Sequence, residues 1–341
     1  MSVRGWMLRK FKTINRDRMK QHVEVIHKNS GKSKPYIYLS MIGAMLKRGA
    51  GYTDYFRGDY IHLNSAERDT FVTAKKFYKL IHYLNDDYYK VILDDKLVFN
   101  RYFKDFLHRG YLNLREADFE EFLVFLDGKQ VVFAKKPIGE GGHGVKKIDL
   151  AAAADKQALY EELISQGYLL LEEAIVQCEA VNRLNPCVVN SFRVVTLRKQ
   201  NGEVVILRNA FRINQDTATV IGCTNDLYFS MGEDGRIDSN VIDDYGNVYE
   251  THPLTGTKFK DVVISDVKEA FEMCRAAAKR IPQERYIGWD VAFSVNGPVI
   301  VEGNQYPGYG ILQHYKLKNQ RTGHLKEIAD VLGDEMRKVK L

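Results

Sequence analysis

Gly288-Trp289-Asp290-Val291-Ala292-Phe293-Ser294, followed by Val299-Ile300-Val301-Glu302-Gly303-Asn304, is the stretch on which the reading of this chain turns. An Asn296-Gly297 pair lies between the two apolar runs and reverses the chain, so the segment reads as a β-hairpin. Glu302 and Asn304 are two residues apart and therefore point to one face of their strand. Asp290 stands on the neighbouring strand. Three hard oxygen donors can thus converge on one face of a sheet. That donor set suits Mg²⁺, above all Mg²⁺ that also holds nucleotide phosphates. Acids also end strands near turns for structural reasons alone, so the metal reading needs a nucleotide site elsewhere in the chain.

Such a site is suggested upstream. Val131 to Lys136 reads as a strand stopped at Pro137, and Gly139-Glu140-Gly141-Gly142-His143-Gly144 places four glycines in six residues before a return strand at 145–150. Glycines at 139, 141, 142 and 144 let backbone N–H groups close on phosphate oxygens. The loop has neither the P-loop form nor the helix that follows a Rossmann glycine turn. Tight hairpins also use glycine structurally; what lifts the reading is Lys136, just ahead of the loop, placed to meet phosphates. Lys135 alternates to the other face and is expected in solvent, unless an irregularity before Pro137 exchanges the two.

Further on, a strand at 168–171 runs into Glu172-Glu173-Ala174-Ile175. An extended segment there can offer backbone groups to an adenine edge with an acid beside it, or it is simply a surface acid pair. Arg193 sits in a strong β run, and Arg208 and Arg212 share parity in the next one. Arginines inside strands need partners, either structural acids or a carboxylate or phosphoryl group. His143, His252 and His314 lack metal-ligand spacing, which argues against zinc, and no nucleophile elbow appears.

The 341 residues, 45% hydrophobic and 28% charged, suit one large enzyme or a few subdomains. No apolar run is long enough to span a membrane and no signal-peptide core is visible, so a cytoplasmic protein is expected. Cys178, Cys187, Cys223 and Cys274 show no paired spacing and read as free thiols. The net charge of +6 is uneven: residues 1–48 carry twelve bases and two acids, a net of +10, leaving −4 for the rest. Trp6, Met7, Leu8, Phe11 and Ile14 interleave with the bases. This region fits an anionic membrane at the inner face, a lipid-linked sugar, or an ordinary solvated helix face; nucleic acid is disfavoured. Helices are expected over 1–30, 36–48, 66–86, 96–108, 153–166 and 265–280, the last capped by Ser265, with a turn at 31–35. Strands are expected at 188–198, 203–213, 287–294 and 298–302. The order predicts an α+β fold with antiparallel sheets.

Taken together, these motifs resemble the ATP-grasp superfamily, and within it the sugar-transfer-associated ATP-grasp proteins, over about residues 90–310. The resemblance rests on Asp95-Lys96, Lys136-Pro137 with its glycine loop, Leu171-Glu172-Glu173 with Ile175 and Gln177, Asn185-Pro186 with Asn190 to Thr196, His252 to Gly256, and the opening hairpin. It implies two α+β subdomains clamping ATP behind a more variable N-terminal part: 1–95 basic and mainly helical, 96–175 with the phosphate loop, 176–341 with the magnesium site. It implies that Lys96 and Lys136 contact ATP phosphates, that the 139–144 loop covers them, and that Glu172, Ala174 and Ile175 face adenine. Glu179 is then directed to the ribose. Asp290, Glu302 and Asn304 hold Mg²⁺, two ions in all, and Arg193 and Arg208 stabilise the transferring phosphoryl group or acyl-phosphate. The usual glycine-containing acceptor segment is replaced by Thr224-Asn225-Asp226.

The activity this implies is an ATP-dependent carboxylate–amine ligase forming an amide through an acyl-phosphate, with small-molecule carboxylate and amine substrates, in cell-surface polysaccharide or secondary-metabolite synthesis. A sugar or polyol kinase on the same fold, and a non-catalytic ATP-binding scaffold, are the alternatives. The kinase would release a stable phosphorylated alcohol, and the scaffold would lack metal ligands.

Overall fold

A computed structural model describes residues 15–139, 144–217 and 225–341 of the chain. Gly141 and Gly142, with the rest of 140–143, and Thr224 of the acceptor segment lie outside the described residues, as does the leader through residue 14. The Cα packing divides the chain into two compact units. One contains residues 1–80, 245–247 and 308–341; the other contains residues 81–244 and 248–307.

The first unit is helical. Its core gathers Val23, Ile26, Ile37, Met41, Tyr55, Phe56, Tyr60 and Phe71. Helix Arg16–Ser30 is capped by Asn15, whose side chain accepts from Arg18 N–H, and ends at Gly31 with φ of 67°. The following helix, Lys34–Arg48, has Pro35 in its first turn. The expected turn at 31–35 is therefore shorter than read, because proline in a first turn costs no hydrogen bond and helps start the helix. The expected single helix over 66–86 is two, Ser65–Asp69 and Ala74–Leu84. Between them Val72 exchanges hydrogen bonds with the Gln313 side chain, N–H to Oε1 at 3.0 Å and Nε2–H to the carbonyl at 2.7 Å.

The second unit is α+β, as expected, and holds two antiparallel sheets. The smaller contains β1 (Tyr111–Asn113), β2 (Val131–Lys135), β3 (Val145–Asp149) and β4 (Leu170–Glu173) in the order β1-β4-β2-β3. Val132, Ala134 and Leu171 turn toward helices Phe119–Leu126 and Lys156–Ser165, packing with Phe122, Leu126, Leu159 and Leu163. The other face of β2 and β4 carries Lys135 and Glu172.

The larger sheet contains β5 (Ser191–Arg198), β6 (Val204–Asn214), β7 (Asp226–Phe229), β8 (Val241–Ile242), β9 (Val248–Tyr249), β10 (Tyr286–Ser294) and β11 (Gly297–Asn304), in the order β11-β10-β5-β6-β7-β8-β9. Helix Val267–Arg280 covers one face, where Phe271, Cys274 and Ala277 meet Phe192, Phe211 and Phe293. Ser265 does not cap this helix. Asp266 occupies the cap position, and the Ser265 hydroxyl donates to its carboxylate at 2.7 Å. Cys178, Cys187 and Cys274 are free thiols.

Glu284 stands out in this unit. It is fully buried, and among the described residues neither carboxylate oxygen has a hydrogen-bond partner. Burial, reinforced by the charges of Asp86, Asp94 and Asp87, pushes its pKa up to about 8. A raised carboxyl pKa means the folded state holds the proton more tightly. Stability is then full below the ordinary carboxyl pKa and is lost as pH rises through about 8. Glu284→Gln is therefore expected to leave unfolding near pH 5 little changed and to stabilise the protein at pH 9 by on the order of 2 kcal/mol, measured by urea denaturation at both pH values.

Candidate active site

The hairpin read first from the sequence forms as β10 and β11. Asp290 lies directly opposite Glu302, and Gly288 opposite Asn304. Alternation then places Asp290, Glu302 and Asn304 on one face, while Trp289 turns into the core and donates from Nε1 to Thr196 Oγ1 at 3.0 Å. A bulge follows: Val291 pairs with Ile300, so Val301 is the extra residue beside the carboxylates. Gly303, between the two β11 donors, faces the core. A Cβ there would come within 2.9 Å of Leu93 Cδ2, 3.1 Å of Trp289 and 3.2 Å of Phe99. Gly303→Ala is accordingly expected to destabilise by about 1–3 kcal/mol, read from the denaturation midpoint, because those rings cannot all yield.

The electrostatics of this face are crowded. The Asp290 and Glu302 carboxyls face each other in register and interact directly. Burial, then the neighbouring Asp290 charge, raises the Glu302 pKa to about 7. Asp290 is also desolvated, but the Arg193 guanidinium more than offsets that and holds its carboxyl below the usual range. Two carboxylates pressed together with an amide, Asn304 Nδ2 lying 3.4 Å from Glu302 Oε1, form an oxygen donor set that a divalent cation would relieve. Among the described residues no group of three or more His, Cys, Asp or Glu side chains is disposed to hold a metal, so the set is two acids and an amide. It is hard in character, as magnesium requires.

Arg193 is the register partner of Asp290 across β5 and β10 and forks onto both its oxygens; the Nη2–Oδ2 distance is 2.9 Å. Arg212 similarly meets Asp226, with Nε 2.5 Å from Oδ2. Of the two readings of strand arginines, the structural acid partner is the one made in this state. Arg208 is half-buried on β6, where Leu207 and Arg208 together oppose Val195 and β6 carries one extra residue.

Lys96 opens helix Lys96–Tyr102 behind its cap Asp95, whose side chain accepts from Leu97 N–H at 2.9 Å. Its ammonium donates to the Gly139 carbonyl at 2.6 Å, at the edge of the glycine loop, and its backbone N–H donates to Pro137 O at 2.9 Å. Burial lowers its pKa, while Glu302 and Glu172 pull the other way. Lys96, Gly139, Glu302, Asp290 and Arg193 are thus brought together from distant parts of the sequence. Gly144 closes the loop with φ of 82°, a conformation that favours glycine, and its carbonyl accepts from Lys136 N–H at 2.9 Å.

Several expectations are corrected. Lys135 is not solvated: it is 13% exposed and paired with Glu172. Val132 and Ala134 fill the helix-covered side, so the alternation turns Lys135 to the face that carries Glu172. Lys136, the first residue past the ladder, is exposed and lies with Nζ 5.2 Å from the Tyr168 ring centre. The Glu172 carboxylate is not open to an adenine amino group. It is 3% exposed and takes Asn100 Nδ2 at 2.7 Å, Arg109 Nη2 at 2.8 Å and Lys135. Burial works against its charge, but Arg109 and Lys135 outweigh that and hold its pKa well below the usual range. Ala174 and Ile175 follow the end of β4 and are half-buried. Glu179 is exposed at the start of helix Glu179–Asn182 and lines a cleft with Arg183 and Asp266 that none of the other candidates reaches.

Sequence reasoning missed Arg109 and Asn100, whose roles depend on partners about 60 to 70 residues away. It did find the His252 to Gly256 and Asn185–Asn190 motifs, and these are structural. His252 Nε2 is 2.9 Å from Asn214 O, and Thr255 and Thr257 hydroxyls donate to Leu184 O and Arg183 O. Asn185 Nδ2 reaches Asn214 O at 2.7 Å, and Gln177 Oε1 accepts from Asn190 N–H at 2.6 Å. Together they fasten the 183–190 segment to β6.

The sequence profile of the family described as sugar-transfer associated ATP-grasp matches residues 76–321. No curated protein sequence matches the chain. Solved structures similar to it include the ATP-grasp ligase PsnB complexed with a minimal precursor, at 15% identity and a TM-score of 0.42, covering 72% of this chain and 62% of that one. D-cycloserine synthetase DcsG is similar at 10% identity and a TM-score of 0.42, covering 71% and 70%. Biotin carboxylase from Campylobacter jejuni, in a β,γ-ATP complex, is similar at 12% identity and a TM-score of 0.42, covering 70% and 46%. The chain spans less than two thirds of the length of the first and third of these. Likenesses this distant assign no chemistry to it.

Proposed function

Since the chain belongs to the sugar-transfer-associated ATP-grasp family, we propose that it is an ATP-dependent carboxylate–amine ligase. The observation that carries this reading is the convergence of Asp290, Glu302 and Asn304 on one face, within electrostatic reach of Lys96, which itself holds the glycine loop at Gly139.

In this reading Asp290, Glu302 and Asn304 hold Mg²⁺, taken as two ions. Bound there, magnesium supplies charge neutralisation for the ATP phosphates. Lys96 and Lys136 meet phosphate oxygens, the 139–144 loop covers them, and the backbone of Ala174 and Ile175 offers the adenine edge. Glu172 acts indirectly, fixing Lys135 and Arg109 beneath the site. A substrate carboxylate oxygen attacks the γ-phosphorus; the new P–O bond forms as the bond to the β-phosphate oxygen breaks and ADP leaves. An amine then attacks the acyl carbon, the C–N bond forms, and inorganic phosphate departs. Arg193 and Arg208 offset the charge that develops on the transferring group. No protein nucleophile is needed; positioning and charge stabilisation supply the rate. The substrates are placed in cell-surface polysaccharide or secondary-metabolite synthesis, a reading supported only by the sugar-transfer association of the family.

The test is a screen of amino acids and sugar acids for ATP-dependent ADP release, with hydroxylamine as surrogate amine. The reading expects ADP together with a hydroxamate. Formation of a stable phosphate ester would instead favour a kinase, and AMP with pyrophosphate would exclude both.

A further inference from the structure

Helix Lys34–Arg48 is apolar on two opposite faces. Ile37, Met41 and Ala44 are buried in the core of the first unit. On the far side Tyr36, Leu39, Ile42 and Leu46 are 53%, 69%, 48% and 60% exposed. Spaced three or four residues apart, these four form one stripe along the helix. The helix contains no Asp or Glu. A helix with two apolar faces is ordinarily covered on both, and among the described residues this one is covered on one. Beside the stripe lies a cleft of about 310 Å³ lined by Ser40, Lys47, Arg48, Ser65 and Arg68. Arg48 is bound to Asp69 and Ser65. Arg68 Nε is buried with no hydrogen-bond partner among the described residues.

We propose that this face docks on an anionic phospholipid bilayer, with lipid phosphates at the cleft and Leu39, Ile42 and Leu46 in the interfacial layer. Charge selects this occupant over the others. Residues 1–48 carry a net +10. A second copy packed antiparallel about a two-fold axis would set the Lys32–Lys34 end of one copy, where Lys34 is paired with Glu24, against Lys47 and Arg48 of the other, where Arg48 is paired with Asp69, and would add no opposite charge across the seam. Residues 1–14 carry four bases and no acid, so laying them over the stripe would add positive charge to positive charge. An anionic bilayer answers both features, taking apolar side chains below its headgroups and basic ones at them. The sequence pointed to residues 1–48 as a whole; this proposal narrows the contact to the outer face of one helix within them. The inference is independent of the reaction proposed above.

The test is flotation of the full-length protein with vesicles of phosphatidylcholine alone and of phosphatidylcholine mixed with phosphatidylglycerol, with sedimentation velocity run alongside. Binding to the mixed vesicles, weakened by salt and much weaker on the neutral ones, is expected. L39S/I42S/L46S should reduce it by on the order of a hundredfold, since three exposed apolar anchors are lost. K47Q/R68Q should reduce it by about tenfold. The triple variant changes only exposed side chains, so an unchanged unfolding temperature confirms its fold and it decides the matter even if Arg68 also supports packing. Wild-type binding that the triple variant does not reduce would place the contact on the leader and overturn the proposal. So would absence of binding to anionic vesicles, with or without a dimer that the triple variant dissociates.

Discussion

Glu302→Ala is expected to lower ATP turnover by on the order of a thousandfold, the largest effect of any single substitution at the site. Glu302 and Asp290 are the two carboxylates of the donor set and face each other in register. Asp290 is already engaged by Arg193 through both oxygens. Without Glu302, a single shared carboxylate and the Asn304 amide remain, too little charge to hold a strongly hydrated cation against water. Glu302→Gln keeps the volume and loses the charge, so it is expected to fail nearly as badly. The measurement is ADP release at saturating ATP across a magnesium titration. Both variants should need roughly tenfold more magnesium or more for half-maximal rate, with the fold retained by circular dichroism. Turnover within twofold of wild type would remove the metal assignment.

Arg109→Ala is expected to destabilise the protein by about 3–5 kcal/mol. Arg109 is 4% exposed and binds Glu172, itself 3% exposed. Its other contacts are carbonyls, Leu107 O at 3.2 Å and Ile300 O at 2.9 Å, so it ties β4 of the small sheet to β11 of the large one. Removing it leaves a desolvated carboxylate with Lys135 and Asn100 only, and an uncompensated buried charge is the costly case. The double variant R109A/E172Q should recover part of the loss, since the orphaned charge goes with it. Urea denaturation of both variants checks this. A loss below about 1 kcal/mol for Arg109→Ala would show that the network contributes little.

The local features were legible because their causes are local. The hairpin at Asn296-Gly297, the shared face of Glu302 and Asn304 and the strand at 131–135 all follow from turn chemistry and alternation within a few residues. The family resemblance stated from motif order agrees with the match over 76–321. What the sequence hid depends on partners far along the chain. Lys135 was read as solvated because which face of β2 is covered is decided by helices on either side of it in sequence. Glu172 looked like a surface acid because Asn100 and Arg109 carry no motif of their own. The strands Asp226–Phe229, Val241–Ile242 and Val248–Tyr249 are too short to show a period and are strands only because each finds an edge in turn, β7 on β6, β8 on β7 and β9 on β8. Helix Lys34–Arg48 had visible periodicity, but its second apolar face becomes informative only once the first is seen to be buried.

The central claim is that a substrate carboxylate is phosphorylated by ATP on the Asp290–Glu302–Asn304 face. The most direct measurement uses the carboxylate found in the ADP-release screen, labelled with oxygen-18 in its carboxyl group, and follows the label by mass spectrometry or phosphorus NMR as amide forms. An acyl-phosphate route predicts one labelled oxygen in each inorganic phosphate released, and none from Glu302→Ala. Inorganic phosphate free of the label, with amide still produced, would contradict the account.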